Sequence, residues 1–391
     1  MKIAIVGAGI AGVTTAYELA ADGHQVTVFE RHGAVAEEAS FAPTGLLATE
    51  LVAPWTAPLR LDMRLSLAEL AWLWRWRRAR QPQVWAANRA RLQRLAVYSR
   101  ARLHQLTAEL RLDYERSDGA LLLLRSDKEL ERLRESGLDL REISADQARK
   151  LEPALNPDTT LAGAVHLPQA EAGNCRQLAL LLRQEAQRLG ARFEFNATVT
   201  RIEAKQPHAL RLANEEAARA FDAVVLCAGL ASARLLRPLG LKLPLAAVQG
   251  SSVSLPLREA LNAPRSAVHD ERHQVTITRL GQRVRVAGGA QLGGGDRERA
   301  LRQLYQVLQD WFPGAGRLSA GVQVWHGARP MLADGPPLLG ASGRPGLWLN
   351  LGHGAHGWAL ACGSARALAD LIAGRPPALD LEGLGVERLR R

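Results

Sequence analysis

The chain begins with an apolar run, Ile3-Ala4-Ile5-Val6, that stops at Gly7. Such a run is too short for a helix, and the glycine marks its end, so residues 2–6 are expected to form a buried β-strand. Val13 to Ala21 reads as a helix and Gln25 to Glu30 as a second strand, which together make a compact β-α-β unit. Residues 60–110 carry Leu, Trp and Arg at helical spacing, broken at Pro82. A strand is expected over 119–125, then a charged helix to about residue 136. An amphipathic helix runs from Asn174 to Leu189 with Gly190 as its C-cap, followed by strands over 191–195, 197–203 and 222–227. Residues 244–290 alternate, as in Val275-Thr276-Ile277-Thr278 and Val284-Arg285-Val286, with the period of half-exposed antiparallel strands. A helix over 297–311, a strand over 321–325 and a last helix from about Gly357 to Ala373 complete the pattern.

This succession predicts an α/β protein with a Rossmann-like nucleotide-binding domain assembled from residues 1–50, 151–243 and 326–391. Residues 51–150 and 244–325 would form an inserted substrate domain of mostly antiparallel strands with helices. At 391 residues and 47% hydrophobic content the chain can bury a large core. The net charge of +11 comes almost wholly from arginine, since lysine stands only at 2, 128, 150, 205 and 242. These arginines are spread among Glu and Leu on helices rather than gathered in a block, so no nucleic-acid partner is expected. Cys175, Cys227 and Cys362 lie far apart and form no C-x-x-C pair, which suggests neither a disulfide framework nor a metal site. The apolar start breaks at Gly7 and runs into a nucleotide-binding motif, unlike a signal peptide, and no apolar run is long enough to span a bilayer. A cytoplasmic protein, free or held peripherally on the inner face of the membrane, is expected.

The motif is Gly7-Ala8-Gly9-Ile10-Ala11-Gly12, a G-x-G-x-x-G directly after a strand. Its first glycine allows a tight turn, the second lets a pyrophosphate approach the backbone, and the third lets helix and strand pack closely. Glu30, 18 residues after Gly12, is placed to accept hydrogen bonds from ribose hydroxyls. This segment does not decide between FAD and NAD. Two later segments favour FAD: the strand ending in Ala228-Gly229, and Gly352-His353-Gly354-Ala355-His356-Gly357-Trp358 leading into the last helix. A helix N-terminus there would stabilise the negative charge of a reduced flavin.

The chain resembles the D-amino acid oxidase and glycine oxidase superfamily of flavoproteins, and within it the bacterial D-amino acid dehydrogenases. Beyond the first motif, the resemblance rests on Ala39-Ser40-Phe41-Ala42 with Ala53-Pro54-Trp55, and on Glu171-Ala172-Gly173-Asn174-Cys175. It continues in Trp325-His326-Gly327-Ala328-Arg329-Pro330-Met331 with Asp334-Gly335, and in Gly352-His353-Gly354 with Gly357-Trp358 and Ala361-Cys362-Gly363-Ser364. These segments occur in order from residue 1 to about 375. The resemblance implies a glutathione-reductase type FAD-binding fold, with Gly7, Gly9, Gly12, Glu30 and Arg31 around the adenosine and pyrophosphate. It places Ser40, Gly45 and Leu46 along the flavin, Val199 at the adenine, Gly229 facing the cofactor, and Gly352 to Trp358 at the pyrimidine edge. With no cysteine near Arg329, FAD is expected to be non-covalent.

The resemblance also implies oxidation of a small amino acid at the carbon bearing the amine, with hydride passing to the flavin and the imine hydrolysing to a 2-oxo acid. Arg329 would anchor the substrate carboxylate, because a guanidinium fork holds a carboxylate in one geometry. No acid–base residue is required; His273, His326, His353 and His356 are candidates for proton handling, with His356 expected to face the flavin or pocket. Pro43, Gln249-Gly250-Ser251-Ser252 and His273 depart from the family pattern, so the amino acid or secondary amine stays open. Quinone or oxygen would accept the electrons. The alternatives are an oxygen-using oxidase of glycine, sarcosine or proline, and a non-catalytic FAD-binding subunit. Trp55, Trp72, Trp74, Trp76 and Trp85, interleaved with Arg64, Arg75, Arg77, Arg78 and Arg80, offer a peripheral membrane contact or a domain core.

Overall fold

The computed structural model describes residues 1–391 except 58, 63, 136–139, 204–207 and 391. Lys205 and the expected end of the charged helix at residue 136 lie outside the described residues; the helix itself covers Asp127–Glu135. The β-α-β unit forms as expected, with strand β1 (Lys2–Val6), helix α1 (Ile10–Ala21) and strand β2 (Gln25–Phe29). The helix starts three residues before the first apolar position of its periodic pattern. Gly9 is its N-cap, in extended backbone at φ −66°.

β1 lies parallel to β2 on one side and to Ala223–Leu226 on the other, with Ile3 opposite both Val26 and Ala223. Arg192–Glu194 extends the sheet past β2, and Leu347–Leu351 with the antiparallel Leu338–Ala341 extends it past Ala223–Leu226. The inner strands read as unbroken apolar runs because helices cover the sheet. One covering layer is α1 packed against Cys175–Arg188 and the last helix, Gly357–Ile372, with Pro82–Leu110 packed on that last helix. Glu18 of α1 is wholly buried there, and its carboxylate accepts from Arg102 Nε at 2.7 Å and Arg366 at 2.8 Å. One buried carboxylate thus ties three helices together, and both its oxygens are satisfied.

The second sheet has ten strands. Its main path runs Gln323–Leu332, Leu245–Pro256, Arg283–Leu292, Val275–Leu280, Ala267–Asp270, Ser117–Leu124, Gly163–Ala172 and Leu46–Leu47. Val253, Val268, Ile277 and Val286 pack with Trp311 of helix Arg297–Trp311 in one core cluster. The alternation read as half-exposed is buried on both faces: Thr276 is 2% exposed, Thr278 0% and Arg285 8%. Their polar face turns inward, toward a cavity between the sheets, and period two alone cannot tell such a face from one in water.

The strands also divide the chain differently from the expected segments. Gly163–Ala172, expected with the nucleotide-binding part, belongs to the ten-stranded sheet, whereas Pro82–Leu110, expected with the substrate part, packs against the last helix. The strand expected to end at 325 continues to Leu332 and carries Arg329 in its interior. Pairing with Leu245–Pro256 holds it extended through Gly327 and Pro330 despite their low strand propensity. Most of the tryptophan cluster is interior. Trp72 and Trp76 are buried and stacked at 6.3 Å, with their Nε1 groups donating to Met331 O and Trp55 O. Trp55 and Trp85 are half-buried, and only Trp74 of the five is exposed. No helix among the described residues is long and apolar enough to cross a membrane.

Candidate active site

A deep cavity lies where the carboxyl ends of the parallel strands meet the ten-stranded sheet. Val6, Glu30, Cys227 and Leu351 line it from four strand ends of the first sheet, and Ser251, Thr276, Ala287 and Arg329 line it from the second. Crevices outside the carboxyl ends of parallel strands are where open α/β sheets bind ligands.

The nucleotide end is built from the first motif. Gly7, Gly9, Ile10 and Ala11 line the cavity. Gly7 takes φ +100°, and a side-chain carbon there would stand 2.6 Å from Cys227 O. One on Gly12 would fall 1.9 Å from Gly7 O, so this glycine sets the contact between helix and strand and does not line the cavity. Ala8 is likewise outside the wall; its N–H donates to Glu30 Oε2 at 2.7 Å. Glu30 also accepts from His32 N–H at 2.9 Å, which fixes its carboxylate at the cavity edge. Arg31 lines the cavity while paired with Glu38, and Val199 lines it from the strand Val199–Glu203. Ser40 stands across from the glycines, and its Oγ accepts from Ile10 N–H at 3.0 Å.

The other end is formed by Ala228, Gly229, Gly352, His353, Gly354, Ala355, Gly357 and Trp358, all in the cavity wall. His353 is buried with Nε2 3.2 Å from Ser364 Oγ, and burial pushes its pKa down to about 4. His356 does not face the cavity as expected: its Nε2 donates to Ala53 O at 2.7 Å, since the short 3₁₀ turn Gly354–His356 swings the ring outward. Gly45 and Leu46 also lie outside the wall. Gly45, at φ +84°, is a turn whose carbonyl accepts from Trp358 Nε1 at 3.1 Å, and Leu46 pairs with Ala172.

Two helices begin at this cavity, α1 and Gly357–Ile372, and neither has a side-chain cap or an acidic residue in its first turn. The helices after Ser66 and Asp296 are capped by the preceding side chain, whereas Pro82–Leu110 is not. Ser40 Oγ takes the Ile10 N–H of α1, and the other first-turn N–H groups of the two helices leave positive ends that suit an anionic ligand such as a pyrophosphate or a reduced flavin. Asn350, buried in the same wall, leaves its Oδ1 without a protein partner while Nδ2 donates to Thr15 Oγ1. The glycine cradle, the acidic strand end and the two helix N-termini fit FAD.

Arg329 is the cation of the substrate end. Its Nη1 donates to Gly289 O at 2.7 Å, and it makes no ion pair among the described residues. The guanidinium lies flat over Gly250, with Nη1, Nη2 and Cζ at 2.5–2.7 Å from where a side-chain carbon would sit on that residue. Surrounding protein pushes its pKa down to about 10, so it stays charged at neutral pH. Trp55, Trp325, His269, Gln274 and Thr276 complete this end, and sequence reasoning assigned none of them to the site. The alternation around Thr276 held the one available signal, a polar face that the fold turns inward. Of the remaining candidates, His273 turns to Asp270, with Nδ1 3.1 Å from Oδ1, and His326 lines a separate, second cavity.

A scaffold of two large sheets, with a dinucleotide cradle at one end of the cavity between them and an unpaired arginine at the other, defines a nucleotide-dependent oxidoreductase. The chain belongs to the family described as FAD dependent oxidoreductase, whose model matches residues 2–371. It is 37% identical to a D-amino acid dehydrogenase of Bradyrhizobium diazoefficiens, with 99% of both chains covered. It is 39% identical to a D-amino acid dehydrogenase of Cereibacter sphaeroides, with 99% of this chain and 95% of the relative covered. In fold it is similar to glycine oxidase from Geobacillus kaustophilus, at TM-score 0.79 and 24% identity over 98% of both chains. L-proline dehydrogenase from P. horikoshii is similar at TM-score 0.76 and 16% identity, over 100% of this chain and 98% of that one.

Proposed function

We propose that this FAD-dependent oxidoreductase oxidises a small amino acid, in the first instance a D-amino acid, at the carbon bearing the amine. The observation that carries the reading is Arg329, a guanidinium with no carboxylate partner, seated in the cavity wall across from the dinucleotide cradle. A substrate carboxylate supplies the missing partner in bidentate geometry, and binding it there fixes the α-carbon relative to the cavity wall. Bound FAD supplies the two-electron acceptor. Trp55 and Trp325 restrict the space around the substrate and keep water from it. The cofactor-binding residues in this reading are those of the glycine cradle, Glu30, Ser40, Val199, Gly229 and the segment 352–358.

Non-covalent attachment is supported by the cysteines. Cys175 and Cys227 line the cavity, yet burial raises each thiol to about 12, so neither offers a thiolate. A quinone acceptor and peripheral membrane contact are supported by Leu67, Leu70 and Trp74, at 85%, 49% and 58% exposure on helix Leu67–Ala79, beside Arg75, Arg77 and Arg78.

Anaerobic bleaching of the flavin across D-amino acids, L-amino acids and N-alkyl glycines tests the activity. Bleaching by D-amino acids is expected, and a flavin that no amino acid bleaches would overturn the reading. Slow reoxidation in air and fast reoxidation by a soluble quinone are expected; the reverse would make the protein an oxidase.

A further inference from the structure

Two flat side chains lie next to each other on a bare stretch of the ten-stranded sheet. Gly250 of Leu245–Pro256 stands directly opposite Gly327 of Gln323–Leu332 in the antiparallel ladder. Residues so placed are about 4.5–5.5 Å apart. The Arg329 guanidinium covers Gly250, and the Trp325 indole covers Gly327. A side-chain carbon on Gly327 would stand 2.1 Å from Cζ2 of the indole, and 2.5 and 2.8 Å from its two bonded neighbours, Cη2 and Cε2. Such similar distances to both neighbours mean that the ring rests on the glycine by its face and not by its edge.

Trp325, Gly327 and Arg329 alternate along one strand and so share one face of the sheet. Trp325 and Arg329 both line the main cavity. With one face of the indole on the sheet, the other is turned to the cavity, beside the carboxylate anchor. The cross-strand row that starts from Trp325 continues through Ser252, Ala287, Thr276 and His269, all on that same face.

This part of the cavity is poor in charge. Burial pushes His269 down to about 4, so its ring is neutral at pH 7. Among the described residues, Arg329 is the one permanent charge that the strands of the ten-stranded sheet bring to the cavity wall. The other charged wall residues, Glu30, Arg31, Glu37, Glu38 and Arg234, follow strands of the first sheet. A charged side chain laid on the indole would give up water on that side and find no partner from the sheet. An apolar one would cover the ring at no such cost.

We propose that Trp325 selects the substrate's side chain, favouring amino acids with an apolar side chain long enough to lie on the indole, such as leucine, over alanine and over acidic or basic ones. Once Arg329 holds the carboxylate, the side chain leaves the α-carbon next to a ring that is one strand spacing away. Gly327 has a part in this, because its bare backbone lets the ring lie flat. The inference rests on the amino-acid oxidation reading and narrows its small amino acid to one with an apolar side chain.

Titration of the FAD-loaded protein with carboxylates that lack an amine, read from the flavin absorbance, tests the selection without turnover. Isocaproate and succinate carry side chains of one shape, those of leucine and aspartate, and propionate carries that of alanine. Isocaproate has three more carbons than propionate, and covering about half of their surface makes it bind about tenfold more tightly. Succinate should be weaker than isocaproate by at least as much. In Trp325→Ala the advantage of isocaproate over propionate should fall below about threefold, and Trp325→Phe should restore most of it. Gly327 is outside the left-handed region, so Gly327→Ala is accepted by the backbone; its methyl would lift the ring and should remove the advantage with the tryptophan still present. Equal binding of the three carboxylates by the parent protein, or an advantage that survives Trp325→Ala or Gly327→Ala, would overturn the selection. If Trp325→Ala does not fold, Gly327→Ala decides. Anaerobic flavin reduction by D-leucine, D-alanine and D-aspartate should follow the same order, and a faster reduction by D-aspartate than by D-leucine would also overturn it. If no amino acid bleaches the flavin while the isocaproate advantage still depends on Trp325, the oxidation reading falls and the role of the indole stands.

Discussion

Replacing Gly250 with alanine would set a methyl carbon on the face of the Arg329 guanidinium. The added carbon would meet Nη2, Nη1 and Cζ at 2.5, 2.6 and 2.7 Å, closer than carbon and nitrogen can approach. Gly250 is not in the left-handed region, so the backbone accepts alanine, and the clashing group is the far end of a flexible side chain. The guanidinium must therefore leave its seat, and the Nη1 bond to Gly289 O goes with it. Stability should change by less than about 1 kcal/mol, because no core atom moves. Substrate use should change far more. A displaced guanidinium loses a charge-assisted hydrogen bond to the carboxylate, worth about 1.5–3 kcal/mol, or about 10- to 150-fold in kcat/KM. Arg329→Lys removes the fork outright and should cost about 2–5 kcal/mol, or roughly 30- to several thousand-fold, with flavin content intact. The double variant should be little worse than Arg329→Lys alone, since both changes act on one contact. Steady-state kinetics with an artificial acceptor, alongside thermal melts, reads all three proteins. A change in kcat/KM below about threefold for Gly250→Ala at unchanged melting temperature would show that the seat of the guanidinium is unimportant.

Gly12→Ala should abolish FAD retention and destabilise the protein by at least about 1–3 kcal/mol, because its methyl would fall 1.9 Å from the backbone oxygen of Gly7 and pry α1 from β1; flavin absorbance per protein and the melting temperature check it. His269 and His353 are held near 4 by burial and so are neutral in the fold but protonated below about 6.5 when unfolded. Their stabilising preference is complete above about pH 6.5 and is lost as pH falls toward 4, by up to about 1.4 kcal/mol per pH unit for each; urea midpoints at pH 7, 6 and 5 should show the slope, made shallower by His269→Gln. Sedimentation with anionic vesicles should fall in the double variant Leu67→Ser/Trp74→Ala and at high salt; equal sedimentation of parent and variant would remove that helix face as the contact.

Local pattern carried much of the nucleotide half. A strand, a glycine-rich turn and a helix are neighbours in the chain, so the cradle of Gly7 to Gly12 and the carboxylate of Glu30 are readable from spacing alone. Helix Arg297–Trp311 was likewise legible, since its apolar positions recur with one period and Asp296 caps it. What spacing could not supply is which face of an element meets which neighbour. Thr276, Thr278 and Arg285 alternate as if one face met water, yet the fold turns that face onto the cavity. The tryptophans at helical spacing proved mostly interior because Trp72 and Trp76 reach across to Met331 and Trp55. His356 sits in the same short motif as His353, but a single turn of 3₁₀ helix sends the two rings to different places. The seat of Arg329 depends on a bulge between strands nearly 40 residues apart, from Gln249 to Gly288. Register across distant strands is set by packing over the whole sheet, and only the tertiary structure records it.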